Sequence, residues 1–237
     1  MAQLLEKLRT GLIVSCQAGD DEPLHGSDIM GRMAVAAKLG GAVGIRANGG
    51  SDIQKVKELT GLPVIGIVKR EYPNSGVYIT PTLKEVEEVV RAGADIIAFD
   101  ATDRPRPNGQ RASDFLVSVK EHFPDVYVMA DISTFEEGVR AAKSGADVVA
   151  TTLSGYTTYS AQLLGPDFKL MEQLTKAVTV PVIAEGRVHT PEDAVQCFAT
   201  GVWAVVVGSA ITRPQEITQR FVERVAELFR QQQSLGR

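Results

Sequence analysis

The chain has 237 residues, 44% of them hydrophobic and 23% charged, with a formal net charge of -4. That length allows one sizeable core, that composition argues against disorder, and no Lys/Arg block offers a footprint for nucleic acid. Two cysteines and three scattered histidines argue against a disulfide framework and a His-rich metal centre, and fit a reducing cytoplasm.

Residues 2–10 set leucines at helical spacing among charges and predict a short N-terminal helix, without the apolar core of a secretory signal. No apolar run reaches the roughly 18 residues of a membrane span. From residue 11 onward, two sets of apolar runs alternate. One set, mostly introduced by proline, is residues 11–17, 63–69, 124–131 and 181–185. The other, introduced by glycine, is residues 40–46, 93–100, 145–152 and 201–208. Such runs suit parallel strands covered on both faces. Amphipathic stretches lie between and after them, at 27–39, 51–59, 83–92, 113–122, 135–143, 168–177, 191–199 and 214–231. Thr190-Pro191-Glu192-Asp193 has a capping threonine, an N1 proline and acids in the first turn. Thr134 opens a similar start, and Thr82 and Glu85 have the spacing of a capping box. Gly40, Gly61, Gly93, Gly145 and Gly201 stand where helices end.

Strand and helix alternating eight times predicts an α/β fold, a single-domain (β/α)8 TIM barrel. The domain is expected over residues 1–237, with the barrel from residue 11. A doubly wound open sheet is the runner-up, but no glycine-rich turn follows the first strand. Two connections are long, residues 101–112 and 153–166, and both fall on the carboxyl side of strands. Barrel active sites lie there, and loops of such length tend to be functional or mobile.

The odd-numbered strands end in Gln17, Lys69, Asp131 and Glu185. Inward residues of alternate barrel strands form one layer of four. Two residues back, the next layer is Ser15, Ile67, Met129 and Ile183, mostly apolar. A wholly polar top layer with opposite charges reads as a site. Strands three and seven lie opposite each other, so Lys69 and Glu185 should face across the mouth, as acid/base work on both faces of one carbon requires. The competing reading is a structural ion pair of lysine with the two carboxylates. The even-numbered strands end in Arg46, Asp100, Thr152 and Gly208. Arg46 suits bidentate oxygen contacts, or a salt bridge to a neighbouring strand end. Asp100 ranks below the odd-strand four, either orienting another polar group or capping the next segment.

Gly186-Arg187 follows strand seven, and Gly208-Ser209 with Arg213 follows strand eight. Backbone N–H groups at small residues converge well on an anion, and these two loops commonly hold phosphate in this fold. Arg213 could instead start the last helix and meet only solvent. Trp203 is expected in barrel–helix packing, Cys16 on the helix side, His189 in a solvated loop or cap, and Glu85, Glu87 and Glu88 on an exposed helix face.

The runs Gly66-Ile-Val-Lys69-Arg70, Phe99-Asp-Ala-Thr102 with Arg104-Pro105, Met129-Ala-Asp131-Ile-Ser133, Thr151-Thr-Leu-Ser-Gly-Tyr156-Thr157, Ala184-Glu-Gly-Arg187 and Gly208-Ser-Ala-Ile-Thr-Arg213 jointly resemble the N-acylglucosamine-6-phosphate 2-epimerase family. This is the bacterial N-acetylmannosamine-6-phosphate epimerase family of sialic acid breakdown, and the resemblance spans nearly the whole chain. It implies inversion at C2 of an acetamido sugar phosphate, without metal or organic cofactor. It implies Lys69 as the main acid/base and Glu185 as the second catalytic carboxylate. Gln17, Arg46 and Asp131 would surround the sugar, and Arg213 would complete substrate binding. The role of Arg104–Arg111 stays open. The rivals are another phosphate-barrel enzyme, a synthase or decarboxylase, and a non-catalytic sugar-phosphate sensor. The amphipathic last helix could pack on a second copy.

Overall fold

The computed structural model describes residues 2–235; residues 1, 236 and 237 of the expected domain lie outside that range. Helix α1 (Ala2–Leu8) precedes eight strands: β1 (Leu12–Cys16), β2 (Gly44–Asn48), β3 (Val64–Ile67), β4 (Ile96–Asp100), β5 (Tyr127–Asp131), β6 (Val148–Ala150), β7 (Val182–Glu185) and β8 (Ala204–Val207). They pair in parallel, in sequence order, and β8 closes on β1. A closed barrel excludes the open sheet. Helices α2 (Ser27–Leu39), α3 (Gly50–Thr60), α4 (Leu83–Arg91), α5 (Ala112–His122), α6 (Phe135–Lys143), α7 (Phe168–Ala177) and α8 (Pro191–Ala199) separate successive strands. After β8 come the single turn α9 (Ser209–Thr212) and the long α10 (Pro214–Leu235). The four-residue α9 is too short to show an apolar periodicity in the sequence.

The helix starts follow local chemistry. Thr82, Thr134 and Thr190 each cap the next helix and complete a capping box with Glu85, Glu137 and Asp193. Such caps satisfy N–H groups that a helix leaves unpaired. The Gly-Ala-Asp lead-ins to β4 and β6 have a matching device. Asp95 accepts from Lys57 and the Val64 amide, and Asp147 from Lys120 and the Val128 amide. Each aspartate thus ties a helix to the amino end of the preceding strand.

The alternating strand faces bury two apolar layers. Ile13, Ile65, Ile67, Ile96, Met129 and Ile183 fill the barrel. Val14, Cys16, Ile45, Val128, Val149 and Val205 pack against the helices. Helix α1 closes the amino end, with Leu8 fully buried and the Trp203 indole donating to the Leu5 carbonyl. A Cβ on Gly44 would stand 2.7 Å from Leu8, so a glycine lets this plug seat. The amino end is a packed floor, and the open end carries the polar groups.

One expectation fails at α4. Glu85 is buried rather than on an exposed face, accepting from Tyr72 at 2.8 Å and Arg70 at 2.5 Å. Its partners come from the long β3–α4 connection, which the helix pattern cannot see. Glu87 and Glu88 do lie on the outer part of the helix, the latter half-buried.

Candidate active site

The carboxyl ends of the strands enclose a cavity of ≈ 270 Å³, lined among others by Gln17, Arg46, Lys69, Tyr78, Glu185, Gly208 and Arg213. Arg46 is its structural centre. It stands two residues into β2 and is only 1% exposed. Its two terminal nitrogens meet Asp131 at 3.1 and 2.6 Å, and one of them also reaches Glu185 at 2.8 Å. Thr152 donates to Asp131 at 2.5 Å and stands 3.3 Å from Glu185. One guanidinium therefore joins carboxylates from β5 and β7. Two carboxylates this close and this buried need such a cation, and the pair in turn keeps Arg46 charged.

This arrangement changes the expected odd-strand layer. Gln17, Lys69 and Glu185 do line the cavity. Asp131 is fully buried beneath it and reaches the site through Arg46. The even strands supply Arg46 and Thr152, and the sequence pattern gave Thr152 no role. The expected alternative of a lysine–carboxylate lock is replaced by an arginine lock.

Lys69 is thereby left unspent. Among the described residues its ammonium has no ion-pair partner. Its amide donates to Asn48 at 2.8 Å, and it bridges Ile79 in a short antiparallel turn-back. Its side chain is exposed at the cavity that it lines, yet barrel walls surround it. Burial first, then the positive charges of Arg46 and Arg213, lower its pKa to about 8, with Glu185 and Glu22 opposing. On the opposite side of the barrel, burial raises Glu185 above the usual carboxylate range; Asp131 adds to the rise and Arg46 opposes it. Two groups at one mouth are thus pushed toward neutrality from opposite ends of the pH scale.

Gln17 Nε2 donates to Ser15 Oγ at 2.8 Å, leaving Gln17 Oε1 buried without a donor. Gln17 as a residue lines the cavity, and a buried acceptor without a donor calls for a functional explanation.

Gly186 and Arg187 both adopt positive φ, 110° and 55°, at the turn after β7. Gly208 caps α9, whose first amides have no carbonyl behind them within the helix. These two turns share the cavity with Arg213. Arg213 pairs with Glu22 at 2.9 Å and Glu216 at 2.8 Å rather than meeting only solvent. The Arg187 guanidinium is used differently from the expectation. It donates to the Gly165 and Ser154 carbonyls and lies 5.8 Å from the Tyr156 ring centre, fastening the β6–α7 loop. A Cβ on Gly155 would fall 2.1 Å from that guanidinium.

The β4–α5 loop also gains a definite role. Arg106 is 2% exposed, donates to the Asp100 and Thr80 carbonyls, and lies 3.9 Å from the Phe115 ring centre. Asp100 accepts from Arg104 and Thr102. Trp203, Cys16 and His189 lie where expected: against α1, in the helix-side layer, and in an exposed turn before α8.

A family profile described as "Putative N-acetylmannosamine-6-phosphate epimerase" (NanE) matches residues 30–227. A relative from Caldanaerobacter subterraneus subsp. tengcongensis, named "Putative N-acetylmannosamine-6-phosphate 2-epimerase", is 55% identical over 94% of each chain. One of the same name from Clostridioides difficile is 55% identical over 94% of this chain and 99% of its own. The solved structure of the N-acetylmannosamine-6-phosphate 2-epimerase from Clostridium perfringens superposes with a TM-score of 0.89 at 54% identity. That match covers 92% of this chain and 95% of the other. A thiamine phosphate pyrophosphorylase from Pyrococcus furiosus superposes at 0.61 with 20% identity, over 91% and 93%. At that identity it shares the fold alone. Among the described residues no helix is long and apolar enough to cross a membrane.

Proposed function

The chain belongs to the NanE family of N-acetylmannosamine-6-phosphate epimerases, and from that premise we propose how its barrel mouth carries out the reaction. The enzyme interconverts N-acetylmannosamine 6-phosphate and N-acetylglucosamine 6-phosphate. The observation that carries the assignment of roles is the unpaired Lys69 at a cavity whose other charges are already engaged.

The sugar reacts as its open-chain aldehyde, because the C1 carbonyl acidifies the C2 proton. Neutral Lys69 removes that proton and becomes an ammonium. The electron pair moves through C1–C2 and leaves negative charge on O1. Protonated Glu185, across the barrel, returns a proton to the other face of C2, and the carbonyl re-forms. Solvent then resets both groups, with no net redox change. This assignment needs the pair to hold one proton in the form with Lys69 neutral and Glu185 protonated, the minor one-proton form, which a lowered lysine and a raised carboxyl make accessible. The shifts of Lys69 and Glu185 run in those directions. Arg46 and Asp131 hold Glu185 in place, and Gln17 supplies an acceptor for the sugar.

The phosphate is assigned to the backbone turns at Gly186-Arg187 and Gly208-Ser209, with Arg213 completing the cradle as it exchanges a carboxylate partner for phosphate. Binding energy at this remote handle aligns C2 between the two acid/base groups. The assignment places the enzyme in amino-sugar catabolism of the cytoplasm, downstream of sialic acid cleavage.

A second copy of the chain is the partner proposed for α10. Phe221, Val222, Val225, Leu228 and Phe229 form an exposed apolar stripe along that helix, and Val195 of α8 is also exposed. A monomer in sedimentation at micromolar concentration would remove this proposal. The reaction itself is tested by offering the enzyme N-acetylmannosamine 6-phosphate beside ribulose and thiamine phosphates. Turnover confined to the acetamido sugar is expected. Turnover of another phosphate, or ligand-dependent thermal stabilisation without turnover, would contradict the assignment.

A further inference from the structure

Charge developing on O1 during proton removal needs a hydrogen-bond donor that is not already committed inside the protein. Arg46 has both terminal nitrogens on carboxylates, its unpartnered Nε is buried away from the cavity space, and Thr152 donates to Asp131. Tyr78 differs from both. It lines the cavity, its ring packs against the barrel interior, and among the described residues its hydroxyl meets no acceptor.

The backbone fixes Tyr78 beside the base. After β3 the chain turns back so that Lys69 bridges Ile79, the Arg70 amide donates to the Tyr78 carbonyl at 2.9 Å, and Thr80 donates to Val68 at 2.8 Å. Lys69 and Tyr78 therefore lie on facing segments of one two-stranded ribbon, one residue out of direct register, and both line the cavity. Behind the ring, the Arg104 guanidinium carbon lies 5.5 Å from its centre. Arg104 is itself held by Asp100 at 2.5 Å and Thr102 at 3.0 Å. A cation against the ring face makes the phenol a stronger donor. Burial raises its pKa, with Arg104 and Arg46 opposing and the Asp100 and Asp131 carboxylates adding to the rise, so the hydroxyl keeps its proton through the neutral range. Tyr156 also lines the cavity, but it stands on the rim, half exposed, against Arg187.

We propose that Tyr78 is a further catalytic residue, whose hydroxyl donates to O1 of the open-chain sugar and stabilises the enolate formed when C2 loses its proton. This role rests on the C2 epimerisation proposed above. Asp100, Thr102 and Arg104 are then positioning residues, which gives the charged β4–α5 loop a link to the chemistry.

The test compares the parent enzyme with Tyr78→Phe, which keeps the ring and its packing against Arg104. Steady-state conversion and deuterium entry at C2 in D₂O are both measured. In Tyr78→Phe, kcat should fall roughly 10²–10³-fold, as for removal of one oxyanion donor, with deuterium entry slowed in proportion and KM little changed. Thermal unfolding of the variant checks that the fold is kept. A folded Tyr78→Phe with kcat within twofold of the parent overturns the proposal. So does a raised KM at unchanged kcat, which would make the hydroxyl a ground-state contact. If the parent itself shows no deuterium entry, the epimerase reading fails instead, and the two failures are distinct.

Discussion

Two buried arginine–carboxylate clusters stand at the carboxyl ends of two strands, β2 and β4, that flank β3, and they serve different purposes. At β2, Arg46 is 1% exposed and holds Asp131 and Glu185; at the β4–α5 loop, Arg106 is 2% exposed and lies beside Asp100. Both look equally costly by burial alone. Around Arg106, backbone carbonyls and two phenylalanine rings fill the surroundings. Around Arg46, a cavity remains, and among the described residues the Lys69 ammonium at its edge and the buried Gln17 Oε1 have no partner. A buried charge therefore does not mark a site by itself. What marks it is a group left without a partner at the edge of a space that a ligand can fill.

Substitution separates the two clusters. Arg46→Met strands two carboxylates in the interior, and loss of one partner of a buried ion pair costs about 3–5 kcal/mol. Chemical denaturation should show that loss, and epimerisation should be lost with it. Arg106→Met keeps the packing against Phe99 and Phe115 but deletes hydrogen bonds from a charged donor to two carbonyls. It should cost about 2–3 kcal/mol, while kcat of the folded variant stays within about threefold of the parent. Equal losses of activity in the two variants would dissolve the distinction.

The pH dependence gives a smaller effect on the first cluster alone. The active pair carries one proton between Lys69 and Glu185. Below the raised pKa of Glu185 both groups are protonated and no base is present. Above about 8 Lys69 has lost its proton as well as Glu185, and no acid remains. The kcat/KM profile should be a bell, with its alkaline limb near pH 8 and its acid limb above the ordinary carboxylate range. Each limb should approach about tenfold per pH unit. An alkaline limb near pH 10.5, where an ordinary lysine titrates, would contradict the assigned environment of Lys69.

The sequence announces what is local. The capping threonines Thr82, Thr134 and Thr190 set helix starts within a few residues, and the alternating apolar runs gave the barrel and the mouth positions of Lys69 and Glu185. It conceals what depends on distant partners. Arg46 meets residues 85 and 139 positions away, so its central place, and the role of Thr152, emerge only in three dimensions. Glu85 has the pattern of an exposed helix face because its partners Arg70 and Tyr72 come from a connecting loop. Arg187 follows a glycine turn as a phosphate ligand would, yet loop carbonyls hold its guanidinium. Tyr78 sits in a loop without periodicity, and only the turn-back at Lys69 brings it to the mouth.

The claim that Lys69 is the proton carrier is met most directly by proton NMR of N-acetylmannosamine 6-phosphate with enzyme in D₂O, followed at C2. The parent should exchange the C2 proton for deuterium as the epimer forms. Lys69→Ala, folded by thermal unfolding and still binding the sugar phosphate, should lose exchange by roughly 10³-fold or more. Exchange in that variant at the parent rate would contradict the account.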